Sequence, residues 1–212
     1  MPTVSDPPAH RAPLPTTRGR RTHAAINAAA RSVIARKGFL ATTIADITAE
    51  AGCSTASFYN YYDSKEAMVG EWALRFRNEV SERAKPVTQH GLSIRERAFQ
   101  AAAAHWHTYK HRLAEMISVS QLAMINDDFA QYWAEICAIP TSFITEMVRR
   151  AQADGYCAGD DPRLIAVAIV AMLNQFCYLQ LTSPTGEPDD QACIATLANI
   201  FYRAIYHQEA AE

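Results

Sequence analysis

From Thr22 to Lys37 the apolar residues Ile26, Ala29, Ala30, Val33 and Ile34 recur at helical spacing, which predicts an amphipathic helix. Gly38 follows, the residue type that most easily takes the left-handed conformation at a helix end. Thr42 and Thr43 are good caps for a short second helix through Ile44, Ile47 and Ala51, stopped by Gly52. Ser54 then caps a third, from Thr55 to about Tyr61. Two short helices across a tight glycine-containing turn have the layout of a helix-turn-helix.

Asp63 or Ser64 opens a fourth helix with Met68, Trp72, Phe76 and Val80 along one stripe, and the Pro86–Gly91 stretch breaks it. Ser93 caps the next, whose Phe99, Ala102, Trp106, Tyr109, Leu113 and Met116 alternate in steps of three and four, predicting one continuous apolar seam. Further helices are expected at about 112–124, 127–153, 162–181 and 189–207, the last carrying Ile194, Leu197, Phe201 and Ile205. No run shows the alternation of a strand. The expected fold is therefore all-α, about nine helices: a three-helix head at 21–66 and a helical bundle at 67–212, with helix 63–85 connecting them.

Residues 1–20 hold five of the ten prolines, Arg18 and Arg20, and no apolar run of signal-peptide type, so a mobile basic arm is expected there rather than a leader or anchor. The net charge of −2 conceals an asymmetry: residues 1–62 carry seven basic residues against three acidic, and the remainder 13 against 19. A basic head on an acidic body is the layout expected when one end meets a polyanion. The five cysteines are scattered and without a CxxC pair, which argues against a disulfide scaffold or zinc ribbon and fits a reducing cytoplasm. The stretch 164–186 carries no charge and is long enough to span a bilayer, but Asn174, Gln175, Gln180 and Pro184 make a buried helix the better account.

Residues 42–66, TTIADITAEAGCSTASFYNYYDSKE, resemble the DNA-binding head of the tetracycline-repressor (TetR) family of bacterial regulators. The resemblance rests on the Thr42-Thr43-Ile44 start, Ile47, the Ala51-Gly52 turn, Ser54, the aromatic run from Phe58 to Tyr62, and Ser64-Lys65-Glu66; with the first helix it covers roughly 20–80. It implies a double-stranded DNA partner with a palindromic operator, read by a helix whose N-terminal end enters the major groove. The base-facing candidates are Ser54, Thr55, Ala56 and Ser57, with Asn60 on a base or a phosphate. By the family pattern Tyr59 and Tyr61 face DNA while Phe58 and Tyr62 pack inward. Thr42 and Thr43, at a helix N-terminus, and Lys65 are the phosphate-contact candidates, and Arg20 and Arg21 continue an arm that follows the backbone or enters the minor groove. Thr55 stands where relatives often carry a long cation, so guanine reading at that position is expected to be lost. Cys53 sits in the turn as a small packing residue.

The body resembles, more loosely, the actinobacterial ethionamide-resistance-type repressors, which implies a small apolar or aromatic effector held between helices. Phe99, Trp106, Tyr109 and Met116 with Met124 and Trp133 would supply part of the pocket wall. Phe143, Met147, Met172 and Phe176 would supply the rest, with Asn174 as polar anchor. The nearly all-round apolar helix at 162–181 and the last helix would form a four-helix homodimer interface. No cofactor and no metal is expected: His107, His111 and Glu115 have helical metal spacing but no fourth ligand or HExxH pattern. The absence of GxSxG, P-loop and GxGxxG patterns speaks against an enzyme. The expectation is a ligand-responsive homodimeric repressor; the alternative is a dimeric carrier of apolar molecules that does not bind DNA.

Overall fold

The computed structural model describes residues 16–83 and 92–207, and the side chains of these outside 77–83. Among the described residues all regular structure is helical: α1 (Thr17–Lys37), α2 (Ile44–Glu50), α3 (Thr55–Tyr59), α4 (Lys65–Arg83), α5 (Ile94–His111), α6 (Leu113–Leu122), α7 (Asp127–Ala153), α8 (Pro162–Leu181) and α9 (Asp190–Ile205). Caps fix most boundaries. Ser93 and Glu96 form a capping box at α5, and Asp161 and Asp189 accept N–H bonds at the starts of α8 and α9. Gly38, at φ 78°, ends α1 with its N–H on Ile34 O at 2.8 Å, and Gly52, at φ 63°, makes the turn between α2 and α3.

Two boundaries correct the sequence reading. Thr16 caps α1, its hydroxyl oxygen accepting from Gly19 N at 3.1 Å, so Thr17–Arg21 is helix and not arm. The seam expected to run unbroken from Phe99 to Met116 is interrupted at Arg112 (φ −117°, ψ 26°), which places Met116 on a separate helix, α6. The expected arm at 1–15 and the Pro86–Gly91 break lie outside the described residues.

The chain divides into two units, Met1–Lys85 with Leu113–Trp133, and Pro86–Arg112 with Ala134–Glu212. The expected boundary near residue 66 is therefore not where the chain divides, because α6 packs on α1 and α4. In the first unit Ile26, Ile34, Ile47, Phe58, Met68 and Trp72 are all but sealed from water. A buried polar network runs through that core: Trp72 Nε1 donates to Asn27 Oδ1 at 2.6 Å, and Asn27 Nδ2 donates to the Tyr62 hydroxyl at 2.7 Å and to His23 O at 2.9 Å. Satisfied networks of this kind tie elements together, here α1, the end of the α3 segment and α4. Two side chains of α6 reach α1 and its C-terminal turn. Glu115 accepts from Arg31 Nε at 2.9 Å, with the Arg31 guanidinium 4.5 Å over the Trp72 ring. Gln121 Oε1 accepts from Phe39 N at 2.8 Å and Leu40 N at 3.2 Å.

In the second unit α5 packs on α8 and α9. Small Ala98 and Ala102 let the helices approach, while Trp106, Tyr109, Leu173, Leu197 and Phe201 fill the core. Trp106 Nε1 and Lys110 Nζ both donate to Asp190 Oδ1 at 3.0 Å, holding α5 to the start of α9. Of the described helices α8 is the one long and apolar enough to cross a membrane by length and composition, with mean hydropathy 1.9; one side of it packs on α5 and α9, and Leu164, Val167 and Leu179 on it are exposed.

Candidate nucleic-acid interface

The helix-turn-helix candidates fall into an outward set and an inward set. Ser54 caps α3, its hydroxyl oxygen accepting from Ser57 N at 3.2 Å, so the first turn of this five-residue helix is set by the cap itself. Ser54, Thr55, Ala56, Tyr59 and Asn60 are exposed and Ser57 is half-buried. Phe58 is fully buried and Tyr62 nearly so, which fixes the rotation of α3 on its scaffold. The Tyr59 ring stands edge-on to Phe58 at 5.9 Å and is 47% exposed. The short α3 thus presents small and hydroxyl side chains at its N-terminal end and a tyrosine one turn later.

Two of the expected contacts are buried and need correcting, Tyr61 and Thr42, and two others, Thr43 and Lys65, have partners within the protein. Tyr61 is buried, at 6% exposure, and its hydroxyl donates to Gly19 O at 2.9 Å, so it anchors the α3 segment to the start of α1 instead of facing outward. Thr42 is buried as well, with its hydroxyl donating to Gly38 O at 2.6 Å. Thr43 is exposed, yet Asp46 engages both its donors: Asp46 Oδ2 accepts from Thr43 N at 2.8 Å and from the Thr43 hydroxyl at 2.6 Å. Lys37 lies 2.6 Å from the same Asp46 oxygen, and these bonds hold that carboxyl far below the usual carboxylate range. Lys65, half-buried, donates to Thr42 O at 2.8 Å and Phe39 O at 3.1 Å and sits 4.3 Å over the Phe39 ring, so its ammonium closes the α1–α2 turn.

Arg20 and Arg21 are exposed on the first turns of α1, with Arg20 bonded to the Thr17 hydroxyl at 3.4 Å. Burial raises the Cys53 thiol above its ordinary value, so at neutral pH it is a thiol and not a reactive thiolate.

The residues expected to wall one pocket are dispersed. Met116, Met124 and Trp133 belong to the first unit and the others to the second. Met124 is 83% exposed, since it falls in the turn beyond the end of α6, and Phe143 is also half-exposed. Phe99 points outward because Ala98, one residue earlier, takes the inward position. Within the second unit Trp106, Tyr109, Met147 and Asn174 are buried and Met172 and Phe176 half-buried, with the Phe176 and Trp106 rings 6.3 Å apart.

Sequence reasoning missed His105. Burial pushes its imidazole down to about 4, the Asn174 side chain partly opposing that, and its Nε2 is buried with no hydrogen-bond partner. The signal was its place between Ala102 and Tyr109, on the inner arc of α5. Glu115, weighed above as a metal ligand, lies on α6 paired with Arg31. Among the described residues no group of three or more metal-ligating side chains comes together.

Comparison with known proteins places the head. Residues 26–71 match the family model for bacterial regulatory proteins of the tetR family. The HTH-type transcriptional repressor KstR2 of Rhodococcus jostii is 29% identical over 129 residues, 54% of this chain and 62% of that one. The present chain thus spans less than two thirds of the curated relative's length in the match. Among solved structures, a tetR-family regulatory protein from Rhodococcus RHA1 superposes with a TM-score of 0.65 at 19% identity, covering 89% of this chain and 98% of the other. The fatty acid degradation regulator FadR from Bacillus halodurans does so with 0.61 at 14%, covering 85% and 94%. At these identities the structural likeness establishes the shared fold.

Proposed function

We propose that this protein, whose residues 26–71 match the family model for bacterial regulatory proteins of the tetR family, is a cytoplasmic, homodimeric DNA-binding repressor released from a palindromic operator by a small apolar or aromatic effector. The observation that carries this reading is the outward set on α3. Ser54, Thr55, Ala56, Ser57, Tyr59 and Asn60 are the groups that meet the duplex. Hydroxyl and amide side chains suit base edges and phosphates, and Ala56 and the Tyr59 ring suit thymine methyls. Arg20 and Arg21 add backbone charge.

Two copies must act together, because a five-residue helix reads too few base pairs for a specific site, and paired heads spaced by about 34–36 Å read successive major grooves. The exposed apolar residues Leu164, Val167 and Leu179 on α8 and Ile200 on α9 favour a second copy there. The effector-side group is the buried set of the second unit, with Asn174 as polar anchor. To turn a mostly bound repressor into a mostly free one, the effector must favour the free state by about 10⁴-fold, about 5.5 kcal/mol, which two sites per dimer can share.

The test is a gel-shift series on duplexes tiled across the DNA flanking the gene. A single fragment should be retarded, with affinity falling steeply as salt rises, and Tyr59→Ala should abolish the shift while the chain stays folded and dimeric. Retention of the shift by that variant would refute the assignment of α3, and a dimeric chain that binds no fragment would favour the carrier reading.

A further inference from the structure

The second unit contains a buried polar group that the packing leaves incomplete. His105 on α5 lies among Tyr109, 6.3 Å away ring to ring, and Asn174 of α8. Its Nε2 is sealed from solvent and has no hydrogen-bond partner. A buried acceptor or donor left unsatisfied costs more than a typical hydrogen bond gains, so such atoms in native folds mark places where a further group completes the site. The ring beside it, Tyr109, is itself buried.

Asn174, whose Nδ2 donates to Cys137 Sγ at 3.5 Å, acts on His105 in the direction of the protonated ring. Burial outweighs that and keeps the ring neutral at physiological pH. Each nitrogen of a neutral imidazole either gives or takes one hydrogen bond, and a hydroxyl can complete Nε2 in both cases.

We propose that His105 is a specificity-determining residue of the effector site, and that its Nε2 hydrogen-bonds the hydroxyl of an otherwise apolar, ring-containing ligand lying against Tyr109. This rests on the reading of the second unit as an effector-binding body and deepens it: the site selects an alcohol or phenol over a hydrocarbon of the same shape. A carboxylate is disfavoured, because it would bury a charge.

Calorimetric titration of the full chain with 4-butylphenol and with butylbenzene tests this. The phenol should bind about tenfold more tightly, the size of one neutral hydrogen bond to a desolvated group. His105→Leu should erase the preference while still binding the hydrocarbon. Should His105→Leu fail to fold, ¹⁵N-histidine spectra of the unaltered chain give an independent readout. The Nε2 resonance absent from His105→Gln should then move on adding the phenol and stay in place with butylbenzene. Equal affinities in the unaltered chain, a preference that survives in His105→Leu, an unmoved Nε2 resonance, or no binding of either probe would overturn the proposal. Operator affinity measured alongside separates the two claims. Equal binding of both probes with release of DNA would sink the His105 assignment and leave the effector reading standing. A clear phenol preference with unchanged DNA affinity would do the reverse.

Discussion

Breaking the Arg31–Glu115 pair from either side should give unequal losses, because the two side chains are unequally buried. The Glu115 side chain is 5% exposed and that of Arg31 38%, with Nε and Oε1 2.9 Å apart. Arg31→Met takes the guanidinium away from a buried carboxylate, and the loss should reach about 3 kcal/mol. It also removes the cation from the Trp72 face, adding about 0.5–1 kcal/mol. Glu115→Gln leaves a guanidinium with more than a third of its surface in water, which rehydrates; the loss should be about 1–2 kcal/mol. Because each single change removes the same interaction, the double variant should be less destabilised than the sum by about 2 kcal/mol. Urea unfolding followed by far-ultraviolet circular dichroism measures all four chains on one scale. Equal losses from the two single variants, or additivity in the double, would refute the claim that this pair locks α6 to α1.

Other consequences follow from the same structure. Tyr61→Phe removes the bond to Gly19 O and should lower stability by about 1–2 kcal/mol in thermal melts, with duplex affinity nearly unchanged, since its hydroxyl faces the protein. Asn27→Leu strips partners from both Trp72 Nε1 and the Tyr62 hydroxyl and should cost about 2–4 kcal/mol in the same assay. His105 gives a pH signature. Its folded value of about 4 lies below the ordinary 6.5, so between these values the unfolded chain holds a proton that the folded chain lacks. Stability from this group is complete above about pH 6.5 and declines by up to about 1.4 kcal/mol per unit as pH falls toward 4; His105→Leu should flatten that slope in urea midpoints measured across the range.

The helices were legible because their signals are local: apolar spacing, and caps such as Ser54 and Ser93. The break at Arg112 was legible in part: a further helix is expected from about 112, but Leu113 and Met116 continue the period of α5, so the seam reads as unbroken. The rotation of α3 was half legible. Phe58 and Tyr62 separate from Tyr59 by helical spacing, but the α3 helix stops at Tyr59, so Tyr61 no longer follows the helical period and turns in to Gly19. Lys65 and Thr43 were read by charge and position alone, and the partners that engage them, the Phe39 and Thr42 carbonyls and Asp46, become neighbours only in three dimensions. The pocket wall fared least well, since large apolar side chains on a seam look alike whether they end in a core, as Trp106 does, or in solvent, as Met124 does.

The central claim is that α3 reads duplex DNA. Fluorescence anisotropy of the retarded fragment and of a scrambled duplex of equal length, titrated with the full chain at several salt concentrations, tests it most directly. The account predicts tighter binding to the genomic fragment at every salt, a steep linear fall of log affinity with log salt, and loss of the discrimination in Tyr59→Ala. Equal affinity for both duplexes, unaltered by Tyr59→Ala, would contradict it.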